Sequence, residues 1–186
     1  MKRMFVIAFA MFMCCAGYAR KVGAPDIRAK YMLATEATGS NAFEVTGAYL
    51  FNIGGRFHLG AGVGFGTANP MIWQNPNTEE YEKSNSFTAP VFVRGKFDFK
   101  GERHRPFISA TATGRYAVVS YDNKDFNPMA FSINAAFGYE WQVGTHWIGF
   151  EAGFEPMFGK YVNTFNSTGY ENGAWLDISV AVHFTF

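Results

Sequence analysis

Apolar residues recur at every second position along most of this chain. The pattern is clearest in Trp175 to Phe186, where Leu176, Ile178, Val180, Val182, Phe184 and Phe186 alternate with Asp177, Ser179, Ala181, His183 and Thr185. Successive side chains of a strand point to opposite faces, so this stretch predicts a strand with one greasy face and one polar or small face. Met129 to Val143 repeats the pattern, with Phe131, Ile133, Phe137, Tyr139 and Trp141 set against Ser132, Asn134, Gly138, Glu140 and Gln142. Six more stretches alternate in the same way: Ile27 to Ala37, Ala42 to Ile53, Arg56 to Gly66, Phe87 to Phe99, Phe107 to Tyr121 and Trp147 to Tyr161. No amphipathic helix interrupts them.

The connections alternate too. Gly54-Gly55, Lys100 to Arg105 and Gly144-Thr145 are short, whereas Thr67 to Ser86, Asp122 to Pro128 and Asn163 to Gly173 are long and polar. Thr38 to Asn41 is a further tight turn, the one exception to the alternation. Pro90 and Pro156 disturb their strands and suggest bulges or strand ends, because proline cannot donate to a sheet ladder. Gly60, Gly62, Gly64 and Gly66 lie within a strand at period two with no helix after them, so they form no nucleotide loop. They predict a thin inner face that leaves room for large side chains opposite.

Eight strands with short turns at one end and long loops at the other predict an all-β fold, an eight-stranded antiparallel up-and-down transmembrane barrel with its short turns in the periplasm. Aromatic residues beside the short turns (Phe51, Phe57, Phe97, Phe99, Trp141, Trp147 and Phe184) fit an interfacial girdle. The polar parity decides between architectures. Arg28, Lys30, Glu36, Glu44, Arg56, Arg94, Lys96, Asp98, Arg115, Glu140, Glu151, Glu155 and Asp177 all fall on the inward face. A lipocalin-like barrel would reverse this polarity, and a two-sheet sandwich would not explain the alternating loops. Arg94, Lys96, Arg115, Glu140, Glu151, Glu155 and Asp177 are the candidates for an ion-paired interior.

Composition agrees. The chain is 18% aromatic and only 17% charged, and its net charge of +1 gives no electrostatic case for nucleic acid. Beyond the N-terminus, no apolar run approaches the roughly 20 residues of a membrane helix. Residues 1–19 read as a cleavable signal peptide, with Lys2 and Arg3, an apolar Met4 to Met13, and a small-residue site ending at Ala19. Residues 20–186 then form one barrel domain. Both cysteines, Cys14 and Cys15, fall in the leader, and Met13 before Cys14 fits lipidation badly.

The leader, the alternating strands, the hairpin AYLFNIGGRFHLGAGVGFG and the closing VAVHFTF resemble small bacterial outer-membrane β-barrel proteins. The likeness is to the OmpX/OmpA transmembrane-domain type and to barrel domains of Bacteroidetes-type bacteria. The resemblance spans the mature chain through patterns rather than signature residues. It implies a bacterial outer-membrane location among lipid and lipopolysaccharide, as a monomer, with insertion by the barrel-assembly machinery reading the terminal aromatics Phe184 and Phe186. It does not imply an activity, since this fold hosts adhesins, structural proteins, transport elements and lipid-modifying enzymes.

Three function classes follow: a non-enzymatic surface or structural barrel, a narrow pore, and a lipid A acylase or deacylase. An eight-stranded barrel is just wide enough for side chains to fill, which favours the first. His58, His104, His146 and His183 all fall towards the short-turn end, away from an outer-leaflet substrate, which opposes the third. The sequence contains no metal-ligand cluster, cofactor motif or catalytic pairing. Trp73, Tyr81, Phe165 and Tyr170 in the long loops are candidate anchors for an unknown extracellular ligand.

Overall fold

A computed structural model describes residues 23–35, 41–74, 81–121, 124–126, 129–162 and 170–186. The expected leader, Glu36, the turn at Thr38 to Asn41 (apart from Asn41) and Phe165 lie outside the described residues. The strands are β1 (Gly23–Ala34), β2 (Ala42–Gly54), β3 (Phe57–Gln74), β4 (Tyr81–Asp98), β5 (His104–Tyr121), β6 (Lys124–Phe126), β7 (Met129–Val143), β8 (His146–Val162) and β9 (Tyr170–Thr185). Neighbours run β4-β3-β2-β1-β9-β8-β7-β5, and β5 pairs back onto β4 to close the cylinder. Every pairing is antiparallel, and three-residue β6 continues the β7 ladder along β5 in the same register (Tyr116↔Met129, then Val119↔Phe126 to Tyr121↔Lys124), so part of the expected loop Asp122 to Pro128 is ladder too. The barrel therefore has eight staves, and the sandwich alternative is excluded by closure.

Two solvents explain the alternation. On β7, Ser132, Asn134 and Glu140 are buried inside while Met129, Phe131, Ile133 and Phe137 are exposed outside. The same inversion runs round the barrel: Phe65, Phe87 and Phe154 are each 62% exposed, while Arg94 and Glu44 are 1% exposed. A continuous apolar exterior of this extent has no place in water. It matches a barrel with its greasy band towards hydrocarbon and its polar residues in the lumen.

Three expectations need correction. Thr67 to Ser86 is largely ladder rather than loop, since Thr67↔Phe87 and Ala68↔Ser86 continue, after an irregularity, through Met71↔Ser84 to Gln74↔Tyr81. The alternation fades there although the backbone still pairs; the greasy constraint ends where the strands leave hydrocarbon. Likewise β8 and β9 remain paired out to Val162↔Tyr170. The first hairpin turns at Gly55-Arg56, because a register shift between Asn52 and Gly54 brings Gly54 opposite Phe57. Gly55 supplies the positive φ of 57°, as Gly144 does (65°) in the β7–β8 turn. Arg56 is consequently an exposed turn residue and not an inward one.

The prolines are the third correction. Pro90 pairs in register with Arg115 on β5, and the β3–β4 ladder resumes in the same register after a gap between Val63↔Val91 and Gly66↔Thr88. Pro156 does the same: paired with Leu176 on β9, it coincides with a gap between Ser132↔Met157 and Ala135↔Phe154 on the β7 side. Each proline directs its missing N–H at one neighbour only, so the strand continues without a bulge.

The glycine row of β3 does what its spacing suggested. A Cβ on Gly62 would lie 2.4 Å from the Gly47 carbonyl and 2.4 Å from the Phe92 ring, while Gly47, on the outer face, has open space. The expected outcome is that Gly62→Ala destabilises the barrel by about 1–3 kcal/mol through overpacking, and that Gly47→Ala is near neutral. Urea unfolding of the two variants in lipid vesicles, followed by tryptophan fluorescence, checks this; equal midpoints would refute it.

Candidate functional site

The lumen is crossed by three stacked clusters of charge. The β2–β3, β4–β5 and β7–β8 turns lie together at one end of the barrel, the turn end. The cluster farthest from it joins β1, β2, β5, β7, β8 and β9. Lys30 Nζ donates to Glu155 at 2.9 and 3.1 Å and lies 3.1 Å from Glu44. Arg115 grips Glu44 with two nitrogens, Nε at 2.5 Å and Nη2 at 3.1 Å, and its Nη2 also donates to Glu155 at 2.5 Å. Ser132 donates to Glu155 at 2.7 Å, and Asn134 donates to Glu155 at 3.3 Å and to Ser179 at 2.6 Å.

The middle cluster joins β1, β4, β5, β8 and β9. Arg94 donates from Nη1 to Asp26 at 2.8 Å and from Nη2 to Glu151 at 2.6 Å. Arg28 pairs with the other oxygen of Glu151. Ser109 donates to Glu151 at 3.3 Å, and Thr185 to Asp26 at 2.8 Å.

The cluster nearest the turn end centres on Glu140, which accepts from Lys96, from Arg105 Nε at 2.7 Å and from His183 at 2.6 Å. Asp98 lies 3.2 Å from Lys96, 2.9 Å from Arg105 and 3.1 Å from His58. Arg105 also stacks over Trp147 at 3.9 Å.

Counted over the residues just named, each cluster holds two arginine or lysine cations and two carboxylates, so with neutral histidines each sums to zero; the buried Asp177 stands outside that count. That balance makes burial tolerable, because an unpaired buried charge costs several kcal/mol, roughly. Of the charges that parity turns inward, Lys30, Glu44, Arg115 and Glu155 fall in the first cluster, Arg28, Arg94 and Glu151 in the second, and Lys96, Asp98 and Glu140 in the third. Asp177 is buried and faces Glu155 across the β8–β9 ladder. Asp26, Arg105 and His183 are partners that lie outside the inward-parity charges and ion-pair candidates above. Asp26 was overlooked because β1 begins four residues earlier than expected, although it shares the parity of Arg28. Arg105 falls in the expected turn Lys100 to Arg105, but it shares the parity of the buried Phe107 and Ser109, which is the signal that points it inward.

Large side chains fill what the ions do not. A Cβ on Gly138 would lie 2.1 Å from the Phe107 ring, and one on Gly149 would lie 2.5 Å from the His183 ring, so both rings rest on glycine floors. Phe107 meets His183 edge-on at 5.2 Å and lies under the Lys96 ammonium. At the turn end the lumen widens into a vestibule of about 440 Å³ whose lining includes Asn52, His58, Lys96, Arg105, Gln142 and Trp147.

Elsewhere the sequence candidates scatter. The Phe184 and Phe186 rings meet at 4.8 Å, His146 packs against both, and the Phe186 N–H donates to the Pro25 carbonyl. For Trp73, Tyr81 and Tyr170 the backbone is described: Gln74 pairs with Tyr81, Trp73 with Glu82, and Tyr170 with Val162, so all three are on strand extensions rather than free loops. His104 hydrogen-bonds the Tyr139 hydroxyl at 2.7 Å. Among the described residues, no group of His, Cys, Asp and Glu is arranged to hold a metal.

No family model matches the sequence, and no curated protein matches it. Among solved structures, the fold is similar to the crystal structure of neisserial surface protein A (NspA), with a TM-score of 0.57 and 15% identity over 88% of this chain and 97% of that one. The N-terminal β-barrel domain of Pseudomonas aeruginosa OprF aligns with a TM-score of 0.48 at 11% identity, over 88% of this chain and 99% of that one. With its closed eight-stranded barrel and its likeness to NspA, the chain has the fold of an eight-stranded outer-membrane β-barrel.

Proposed function

We propose that this chain is a non-enzymatic outer-membrane barrel whose lumen is closed by ion pairs and whose long-loop end serves structural or binding roles. One observation carries the reading: three charge-neutral clusters, seated on a lumen whose glycine floors are occupied by Phe92, Phe107 and His183. A narrow pore would need a continuous wet path past these groups. Each histidine is engaged by a carboxylate, a phenol or an aromatic pair near the turn end, which argues against a hydrolase facing the outer leaflet.

In this reading the barrel is a monomer with its short turns in the periplasm, surrounded by outer-membrane lipid and lipopolysaccharide. A signal peptide over residues 1–19 takes it out of the cytoplasm, and the assembly machinery recognises the strand ending in Phe184 and Phe186. An extracellular ligand would meet the end bearing Trp73, Tyr81, Phe165 and Tyr170.

The test is electrical. Purified protein in a planar bilayer is expected to give no large, steady conductance at neutral pH. Steady openings of wide-porin size would overturn the closed-lumen reading, while the fold itself would stand.

A further inference from the structure

The surface of the turn end is lopsided in charge. Arg56 in the β2–β3 turn and Lys100 and Arg103 in the β4–β5 turn are exposed, and among the described residues Glu102 is the one exposed acid beside them. The inner cations Lys96 and Arg105 are matched by Asp98 and Glu140, so they leave this surplus unchanged. Directly next to the basic turns stand the outermost apolar side chains of the barrel: Phe51 and Ile53 on β2, Phe57 on β3, Phe97 on β4 and Phe99 just after it, each at least 37% exposed. Phe97 and Phe99 meet edge to face at 5.5 Å, a fixed apolar shelf under the basic turn. In the sequence, the residues joining the strands at the opposite end carry the other sign, with Glu79, Glu80 and Asp122 among them.

We propose that Arg56, Lys100 and Arg103 form a collar that binds anionic phospholipid headgroups at the turn end of the barrel. The inference rests on the membrane reading above. If the aromatic shelf ends where the hydrocarbon ends, cations one turn beyond it sit at the level of the lipid phosphates. Each such cation near an anionic surface favours binding by about five-fold at low salt, and the preference fades as the Debye length shrinks. An uncharged lipid gains nothing from the collar. The barrel would therefore gather anionic lipid beside the β2–β3 and β4–β5 turns and not at the opposite end.

The experiment uses full-length mature protein folded in neutral micelles with equal amounts of phosphatidylcholine and phosphatidylglycerol. Native mass spectrometry counts the lipids retained. Wild type is expected to retain phosphatidylglycerol over phosphatidylcholine at least five-fold. The triple variant Arg56→Gln, Lys100→Gln, Arg103→Gln loses that preference, and each single variant weakens it. A control with the same loss of charge, Lys83→Gln, Lys124→Gln, Lys160→Gln, keeps it. Equal selectivity in wild type and collar variant, or equal loss in both triple variants, would overturn the proposal. So would co-sedimentation with an anionic cell-wall glycan without phosphatidylglycerol enrichment, which would assign the collar to a glycan. Heat-dependent gel mobility is read on every sample, so a chain that never forms a barrel is distinguished from a barrel that ignores the headgroup.

Discussion

Glu155→Gln is expected to destabilise the barrel by about 3–5 kcal/mol, the usual consequence of removing one partner from a buried ion pair. The side chain is fully buried and accepts from Lys30, Arg115, Ser132 and Asn134. Without its charge, Lys30 and Arg115 must share Glu44, two cations against the one carboxylate still paired with both. A second substitution then separates local from global electrostatics. Lys30→Met returns this cluster to neutrality, with the bidentate Arg115–Glu44 pair intact, and should recover most of the loss. Lys96→Met restores the same overall charge but unbalances the cluster around Glu140, so its cost should add to that of Glu155→Gln. Urea unfolding in lipid vesicles reads all four proteins. Equal rescue by Lys30→Met and Lys96→Met would show that only net charge matters, and the three-cluster description of the lumen would fall.

The outer surface makes the second demand. Phe137 and Val143 lie on the same strand and the same face, 59% and 55% exposed, but Val143 is next to the turn and Phe137 is two-fifths of the way up β7. An arginine on the lipid face of a barrel costs about 2–4 kcal/mol at the bilayer midplane and about 0–1 near the interface. Phe137→Arg should therefore fold poorly into vesicles, whereas Val143→Arg should fold nearly as well as wild type. The measurement is the fraction of each variant shifted in gel mobility by heating. Indistinguishable fractions would mean that this face does not sit in hydrocarbon.

These two solvents also explain what the sequence discloses. On β7 and the inner part of β9, lipid on one side and a charged lumen on the other force strict alternation, so strand, face and parity are readable residue by residue. Beyond the lipid, only backbone pairing remains. Met71 to Gln74 and Tyr81 to Ser84 continue the ladder without alternation, and the sequence there resembles a loop. The turn at Gly55-Arg56 depends on a register shift one residue earlier, which the adjacent glycines do not announce. The choice of ionic partners was the least legible feature. Arg115 on β5 meets Glu44 on β2, two strands that are not neighbours in the sheet. Such pairs are set by the curvature and stagger of the closed cylinder. Parity can say which charges point inward, but not which of them meet.

The seam between β1 and β9 has a kinetic meaning. Asp26 pairs with Thr185, and the Thr185 hydroxyl reaches the Asp26 carboxylate, a contact between residues 159 positions apart. Every other neighbouring pair of staves can form as a hairpin when its second strand arrives, but this one waits for the last strand. High contact order of this kind slows folding. A chain cut short before Tyr170 would present two bare edges, on β1 and β8, open to pairing with any other strand. The ladder from Asp26↔Thr185 to Ala34↔Asp177 thus acts as a completeness check, satisfied only by a polypeptide synthesised to its closing strand.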